Sequence, residues 1–385
     1  MENYRGVTGM RVAILESIIM PAGHEVEFDR ILVNELKRQG HEPVFFVPEK
    51  FPFKVDYKAE IEYLNGGEVV TYAGANRVQK VFLSIVRECR RRQWFNSAYK
   101  KAIEGKCDAI IIPTSTFRYL RAILETNLKD SPVPVYFIIH GINPREKARF
   151  LRQARRCEAY KNIHIKIITL RDDFSEDGLS NIDLIEPPVF KPVGFEPDQT
   201  ITVQNPLTLG FFGQYRREKN IRFFLNAYKH AKFNIPVKLI VQGATAMQED
   251  SDEFEKIIKE YSDIETIEFW HKNLIGSQWE DALRSVDIII APYAAERYRY
   301  HWSAMLFNAI GFYKPILQSP EMNPEVLATY NIGEAIDLKN ETVFKMQLEN
   351  LVNSFIDSKD KYQEGLIAAN KAFSHERLIH NILEK

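Results

Sequence analysis

SVDIIIAPYAAERYRYHWSAMLFNAIGFYKPILQ, residues 285–318, reads as strand, loop, helix, strand. Val286–Ala291 is an apolar run of strand length, and Pro292 ends it. Tyr293–Tyr300 is a polar, aromatic loop. From His301 to Ile310 the apolar residues Trp302, Met305, Leu306, Ala309 and Ile310 fall at helical spacing, and Gly311 is placed to stop the helix. Lys314-Pro315-Ile316-Leu317 opens the next strand. In a parallel α/β domain, ligands bind beyond the carboxyl ends of strands and beside helix N-termini. Arg299, Ser303 and the free N–H groups of a helix start would suit a phosphate there.

Working outward, the alternation of strand and helix continues on both sides. Towards the C-terminus, helices are expected at Pro324–Tyr330 and Glu341–Ile356, with a short strand at Glu334–Ile336. Upstream, Leu207–Phe212 reads as a strand, Gly213–Asn220 as a loop and Ile221–Lys232 as a helix. Val237–Val241 is a strand followed by Gln242-Gly243. A charged helix spans Asp252–Tyr261, Ile264–Phe269 is a strand, and Ser277 caps a helix ending at Arg284. The loop Gly213–Lys219 puts Arg216, Arg217 and Lys219 between a strand end and a helix start. Cations there oppose the helix dipole unless an anion is present, so a diphosphate explains them better than a solvated basic loop. Gly243, at a neighbouring strand end, would let backbone approach the same ligand.

The first half repeats the plan. Strands are expected at Met10–Leu15, Pro43–Val47, Val69–Tyr72, Asp108–Ile112, Pro134–Ile139, Ile163–Thr169 and Ile182–Ile185. Gly23 marks a turn before a helix from His24 to Gln39, and no G-x-G-x-x-G follows the first strand. A long helix spans Asn76–Glu104. It carries Arg87, Arg90, Arg91 and Arg92 beside Trp94, Phe95 and Tyr99. Two readings stay open: a basic-aromatic surface for a membrane interface, or a solvated helix whose aromatics are core. His140 follows a buried strand and so faces the crevice, where a histidine can do acid/base work or bond to loop backbone. Asn143 is placed to cap the next helix, with Pro144 at its first position.

Composition excludes several classes. Of 385 residues, 45% are hydrophobic and 27% charged, which fits two globular domains. No apolar run is long enough to span a bilayer, and the N-terminus enters a strand without a signal-peptide region. Cys89, Cys107 and Cys157 are scattered without metal-ligand spacing, so a reducing, cytoplasmic setting is expected. Residues 1–195 carry 30 Lys/Arg and 25 Asp/Glu, a net +5, and the remainder is net −6. The split hints at an anionic partner for the first half and is too small to argue for nucleic acid. No Walker loop, hydrolase elbow, H-E-x-x-H or Cys/His cluster occurs.

LGFFGQYRREKNIRFFLNAY, VKLIVQG, the segment from IETIEF to DIIIAPY, and the opening stretch resemble the GT-B glycosyltransferases, closest to the bacterial family 4-type enzymes of polysaccharide assembly. The resemblance covers most of 207–337, with a less specific match in GHEVEF…LKRQGHEP. It implies two Rossmann-like β/α/β domains facing across a cleft: residues 1–188 for the acceptor and 207–370 for the nucleotide-sugar donor. Residues 189–206 would link them, and a C-terminal helix within 371–385 would pack back on the first domain. The implied activity is transfer of a sugar from a nucleotide-diphosphate sugar to a glycan or lipid-linked acceptor in cell-surface polysaccharide synthesis. The implied stereochemical course is retention. Donor binding is implied for Gly213, Arg216, Arg217, Lys219, Gly243, Arg299, Ser303 and Asn308. Acceptor binding is implied for Gly23, His24 and Asn143, and catalysis for His140 and Glu296. No cofactor and no metal are expected, because two cationic loops can neutralise the diphosphate. Peripheral contact with the inner membrane surface is a further expectation. The chain departs from the family's E-x7-E pattern, with Asn308 at the second acid's place and Tyr300 eight residues earlier. An epimerase of the same fold and a two-lobed binding protein are the alternatives.

Overall fold

The computed structural model describes residues 9–19, 24–72, 76–174, 178–191, 198–294 and 296–384, without the side chains of His24, Arg77, Asp172 and Arg297. The chain divides into two compact units. Of the described residues, one unit takes 9–19, 25–186 and 375–384; the other takes His24 and residues 187–374.

The first unit is a seven-stranded sheet. Its strands are β1 (Arg11–Leu15), β2 (Glu42–Pro48), β3 (Glu60–Leu64), β4 (Ala109–Ile112), β5 (Val135–Ile139), β6 (Ile163–Ile168) and β7 (Ile182–Ile185). All pairings are parallel, in the order β3-β2-β1-β4-β5-β6-β7. The helices are α1 (His24–Arg38), α2 (Arg77–Ile103), α3 (Phe117–Leu124) and α4 (Lys147–Cys157). Central strands such as AIII and VYFII are buried at every position. That is why they read as unbroken apolar runs: a parallel sheet is covered on both faces. In α1, acids open the helix and basic residues close it, complementing its dipole. In α2, Asn76 and Gln79 form a reciprocal capping box.

The third strand is not Val69–Tyr72, which lies in irregular backbone, but Glu60–Leu64. EIEYL is an edge strand. It needs one partner, so it tolerates charge, and its acids are used: Glu60 pairs with Arg11 and Glu62 with Lys101.

The second unit holds β8 (Leu207–Phe211), α5 (Ile221–His230), β9 (Val237–Gly243), α6 (Gln248–Glu260), β10 (Ile267–His271), α7 (Ser277–Arg284), β11 (Ile288–Ala291), α8 (Ala304–Gly311), β12 (Ile316–Gln318), α9 (Pro324–Thr329), β13 (Gly333–Ala335), α10 (Glu341–Asn353) and α11 (Phe355–Ala372). Its six strands are parallel in the order β10-β9-β8-β11-β12-β13. Both sheets share the doubly wound order in which strand order reverses beside the first strand. A last helix, α12 (His375–Leu383), belongs to the first unit. There Tyr136 donates to the Leu383 carbonyl at 3.3 Å, and Arg377 pairs with Glu186 at 3.0 Å.

Gly311 ends α8 without being the residue that turns the chain. The left-handed residue is Tyr313 (φ 52°). Gly311 is small because a Cβ there would lie 2.6 Å from the Phe190 carbonyl oxygen. Gly311→Ala is therefore expected to lower the melting temperature of the second unit. Overpacking costs about 1–3 kcal/mol, against about 1 kcal/mol gained in helix propensity. A rise in melting temperature would show that Phe190 yields freely.

Candidate functional site

In the second unit the strand order reverses between β8 and β11, so the loops after these strands frame the crevice position of the sheet. The β8 loop begins at Gly213 with φ +112°, a conformation that disfavours a side chain. Its N–H donates to Gln242 Oε1 at 2.8 Å, and Gln242 Nε2 donates to the Lys272 carbonyl at 2.5 Å. Gln242 thus braces the loop against the end of β9. Tyr215 N–H bonds to the Ala244 carbonyl at 2.7 Å, extending the pairing beyond the strands.

Lys219 is the centre of this loop. It is only 8% exposed. Its Nζ lies 4.8 Å from the ring centroid of Tyr293, the buried residue that follows β11. A Cβ on Gly213 would come within 2.8 Å of that Nζ, so glycine is what lets the ammonium lie against the loop backbone. The two loops are tied directly, Ala294 N–H donating to the Glu218 carbonyl at 2.7 Å. Burial pushes the Tyr293 hydroxyl above its ordinary range, so it stays a neutral donor.

The other expected donor residues are distributed unequally. Arg216 is partly covered, 3.8 Å from Glu218 and 3.3 Å from Gln214 Oε1. Arg217 is largely exposed and pairs with Glu253 on α6. Arg299 and Glu296 are exposed in the 3-10 turn Glu296–Tyr300, with the Arg299 guanidinium 5.5 Å from the Tyr300 ring. The helix expected from His301 begins at Ala304 instead, because Ser303 caps it: Ser303 Oγ accepts from Leu306 N–H at 3.3 Å. Ser303 N–H in turn donates to Asn323 Oδ1 at 3.0 Å.

Two residues have packing roles the sequence did not reveal. Asn308 is 5% exposed, its Nδ2 donating to the Ala304 carbonyl at 2.7 Å and its Oδ1 accepting from Trp279 Nε1 at 3.1 Å. Both ends of its amide are engaged within the unit. Gly243 faces α6, where a Cβ would come 2.7 Å from the Phe254 ring. Packing against α6 therefore requires a glycine there.

Sequence reading missed Gln318 and Ser319, at the carboxyl end of β12. Both are fully buried, and Gln318 Oε1 and Ser319 Oγ have no hydrogen-bond partner among the described residues. Buried polar atoms left unpaired cost about 1–3 kcal/mol each. Two polar residues directly after the apolar Ile316-Leu317 were the available signal.

In the first unit, His140 follows β5. Its Nε2 lies 2.7 Å from the Pro113 carbonyl and therefore carries the proton in the neutral ring. The ring stands edge-on to Phe28 at 4.5 Å. Asn143 Oδ1 accepts from Arg145 N–H at 3.1 Å and caps the turn before α4. His24 is the first residue of α1, and Gly23 lies outside the described residues.

A buried acid cluster at the end of β1 was also missed. Glu16, Glu25 and Asp29 line a cavity of about 10 Å³ together with Lys54 and Tyr57. Glu16 Oε1 accepts from the N–H groups of Ser17 (2.6 Å) and Ile18 (2.5 Å), and Glu25 pairs with Lys54 at 2.8 Å. Burial, reinforced by the charge of Glu25, pushes the Glu16 carboxyl up to about 8. Burial, then the charges of Glu16 and Glu25, holds Asp29 well above the usual carboxylate range. Among the described residues, no group of three or more His, Cys, Asp or Glu is placed to hold a metal ion.

Neither a protein-family model nor a curated protein matches the sequence. Solved structures do match in fold. HepE of Anabaena, in complex with UDP and glucose, aligns with TM-score 0.65 and 13% identity over 97% of this chain and 99% of that one. Sucrose-phosphate synthase of Thermosynechococcus elongatus aligns with TM-score 0.63 and 12% identity over 97% and 94%. WaaG, a glycosyltransferase of lipopolysaccharide biosynthesis, aligns with TM-score 0.63 and 13% identity over 97% and 100%. The fold is that of the GT-B glycosyltransferases.

Proposed function

We propose that the protein is a glycosyltransferase that moves a sugar from a nucleotide-diphosphate sugar to a glycan or lipid-linked acceptor in cell-surface polysaccharide synthesis, with retention at the anomeric carbon. The observation that carries this reading is Lys219. Its ammonium is buried behind Gly213 at the carboxyl end of β8, beside the point where strand order reverses. A cation at such a place is positioned to meet a diphosphate, and HepE has the same fold and was crystallised with UDP.

Lys219 is assigned to the leaving diphosphate, with Arg216, Arg299 and the start of α8 adding positive potential as charge develops. Arg217, held by Glu253, has a secondary part. Gln318 and Ser319 are assigned to hydroxyls of the donor. His140, His24 and Asn143 are assigned to the acceptor side, and Glu296 keeps its catalytic assignment. The reading requires no metal, since the cations named carry the charge balance.

A panel of nucleotide sugars tests this. One donor is expected to raise the melting temperature by several degrees at saturating concentration, and to release its nucleoside diphosphate only when an acceptor is added. An isomerised sugar without acceptor would make the protein an epimerase. Binding without either reaction would make it a carrier. No shift with any nucleotide would remove the donor site altogether.

A further inference from the structure

Gln242 is the penultimate residue of β9, which lies between β8 and β10 in the sheet. It is 1% exposed. Its Oε1 accepts from Gly213 N–H, in the loop after β8, at 2.8 Å. Its Nε2 donates to the carbonyl of Lys272, just beyond β10, at 2.5 Å. Both partners are main-chain groups, one a donor and one an acceptor. The amide therefore has one working orientation, oxygen towards Gly213 and nitrogen towards Lys272. A single side chain ties together the exits of three adjacent strands.

The Gly213 end of this bridge bears on Lys219. The Gly213 carbonyl accepts from Ala244 N–H at 3.1 Å, and its N–H is taken by Gln242. Both polar groups of Gly213 are thus turned to the end of β9. What Gly213 supplies is space: a Cβ there would come within 2.8 Å of Lys219 Nζ. The place of the Gly213 Cα therefore limits where the ammonium can lie. Glycine has more backbone freedom than any other residue, so a loop that depends on its position needs a brace from outside. The Gln242 amide is that brace, and burial makes its two bonds stiff.

We propose that Gln242 is a positioning residue for Lys219: acting through Gly213, it holds the ammonium in register with the donor diphosphate. The proposal rests on the donor reading of Lys219 and extends it to a residue that touches no substrate. Preorganised charge works because nothing has to move when the diphosphate arrives, and a misplacement of about 1 Å can cost about 10²-fold. An amide that served stability alone would leave the affinity of the folded protein for a diphosphate unchanged when removed. The fixed orientation of the amide gives a second handle. A neutral glutamic acid at 242 can accept from Gly213 and donate to Lys272, as glutamine does. A carboxylate can only accept.

The test is calorimetric binding of UDP, ADP, GDP and dTDP to the full-length wild type, Gln242→Leu and Gln242→Glu between pH 5 and pH 8. The diphosphate that binds wild type tightest is the probe. Gln242→Leu is expected to weaken it by about 10- to 100-fold at every pH. Gln242→Glu is expected to bind within about threefold of wild type at pH 5, where burial keeps the acid neutral, and to fall to the level of the leucine variant by pH 8. Leucine brings no charge, so it separates lost geometry from repulsion by a carboxylate. Added to Lys219→Met, Gln242→Leu is expected to cost no more than about a further twofold, because the group it positions is already gone. A leucine variant that binds like wild type, or losses that simply add to those of Lys219→Met, overturn the proposal and leave the donor reading standing. Wild-type protein that binds none of the four diphosphates ends both. If circular dichroism shows the leucine variant unfolded, the glutamate variant decides, and an affinity ratio to wild type that is flat with pH overturns the proposal.

Discussion

Lys219→Met is expected to abolish the nucleotide-induced rise in melting temperature and to lower kcat/KM by about 10²- to 10³-fold, as loss of one preorganised charge stabiliser typically does. Methionine keeps a stem of similar length against Tyr293 and Phe211, so the loop should stay packed while the charge is lost. The cation–π contact itself is worth about 2 kcal/mol when desolvated, so some intrinsic destabilisation should accompany the loss. Circular dichroism and melting without nucleotide measure that part separately. Wild-type nucleotide affinity and turnover in the variant would end the assignment of Lys219. Arg217→Ala should have a much smaller effect, because its guanidinium is exposed and committed to Glu253.

The second large effect is on stability against pH. The Glu16 carboxyl sits at about 8 in the folded protein, against an ordinary value of 4.5. Between those values the folded state keeps a proton that the unfolded chain has released. Raising the pH across this window therefore favours unfolding. The penalty is absent below about 4.5 and complete above about 8, and Asp29 contributes with the same sign. The total is on the order of a few kcal/mol, or several degrees in the transition of the first unit. Glu16→Gln fixes the neutral form and can still accept from Ser17 and Ile18. It should flatten the profile and melt above wild type at pH 8. Scanning calorimetry from pH 5 to 9 decides: a flat wild-type profile, identical in the variant, would mean the cluster is solvated.

The strands of both sheets were legible because central parallel strands are buried on both faces and leave unbroken apolar runs. AIII, VYFII and DIIIA could hardly be anything else. The edge strand Glu60–Leu64 was not legible, because an edge needs only one partner and its two acids serve ion pairs across to Arg11 and Lys101. Of the candidate site, the cationic loop after β8 and the helix start after β11 were visible as residue types at strand ends. Which of their side chains point inward was not visible.

Sequence alone thus determined the alternating α/β plan, the two-unit organisation as an expectation, and the position of the basic loop Gly213–Lys219. These depend on local pattern and on short-range order along the chain. Only the tertiary structure separated the three cations, burying Lys219 beside Tyr293, partly covering Arg216 and giving Arg217 to Glu253. Only it engaged Asn308 with Trp279, gathered Glu16, Glu25 and Asp29 around one cavity, and put Trp94 and Phe95 of α2 in the core. Each of these is a matter of which long-range neighbour arrives, and apolar periodicity carries no record of that. The stretch 285–318 shows both sides. Its strand and helix follow from its residues, while Ser303 as a cap and Gly311 as a close contact follow from what packs against them.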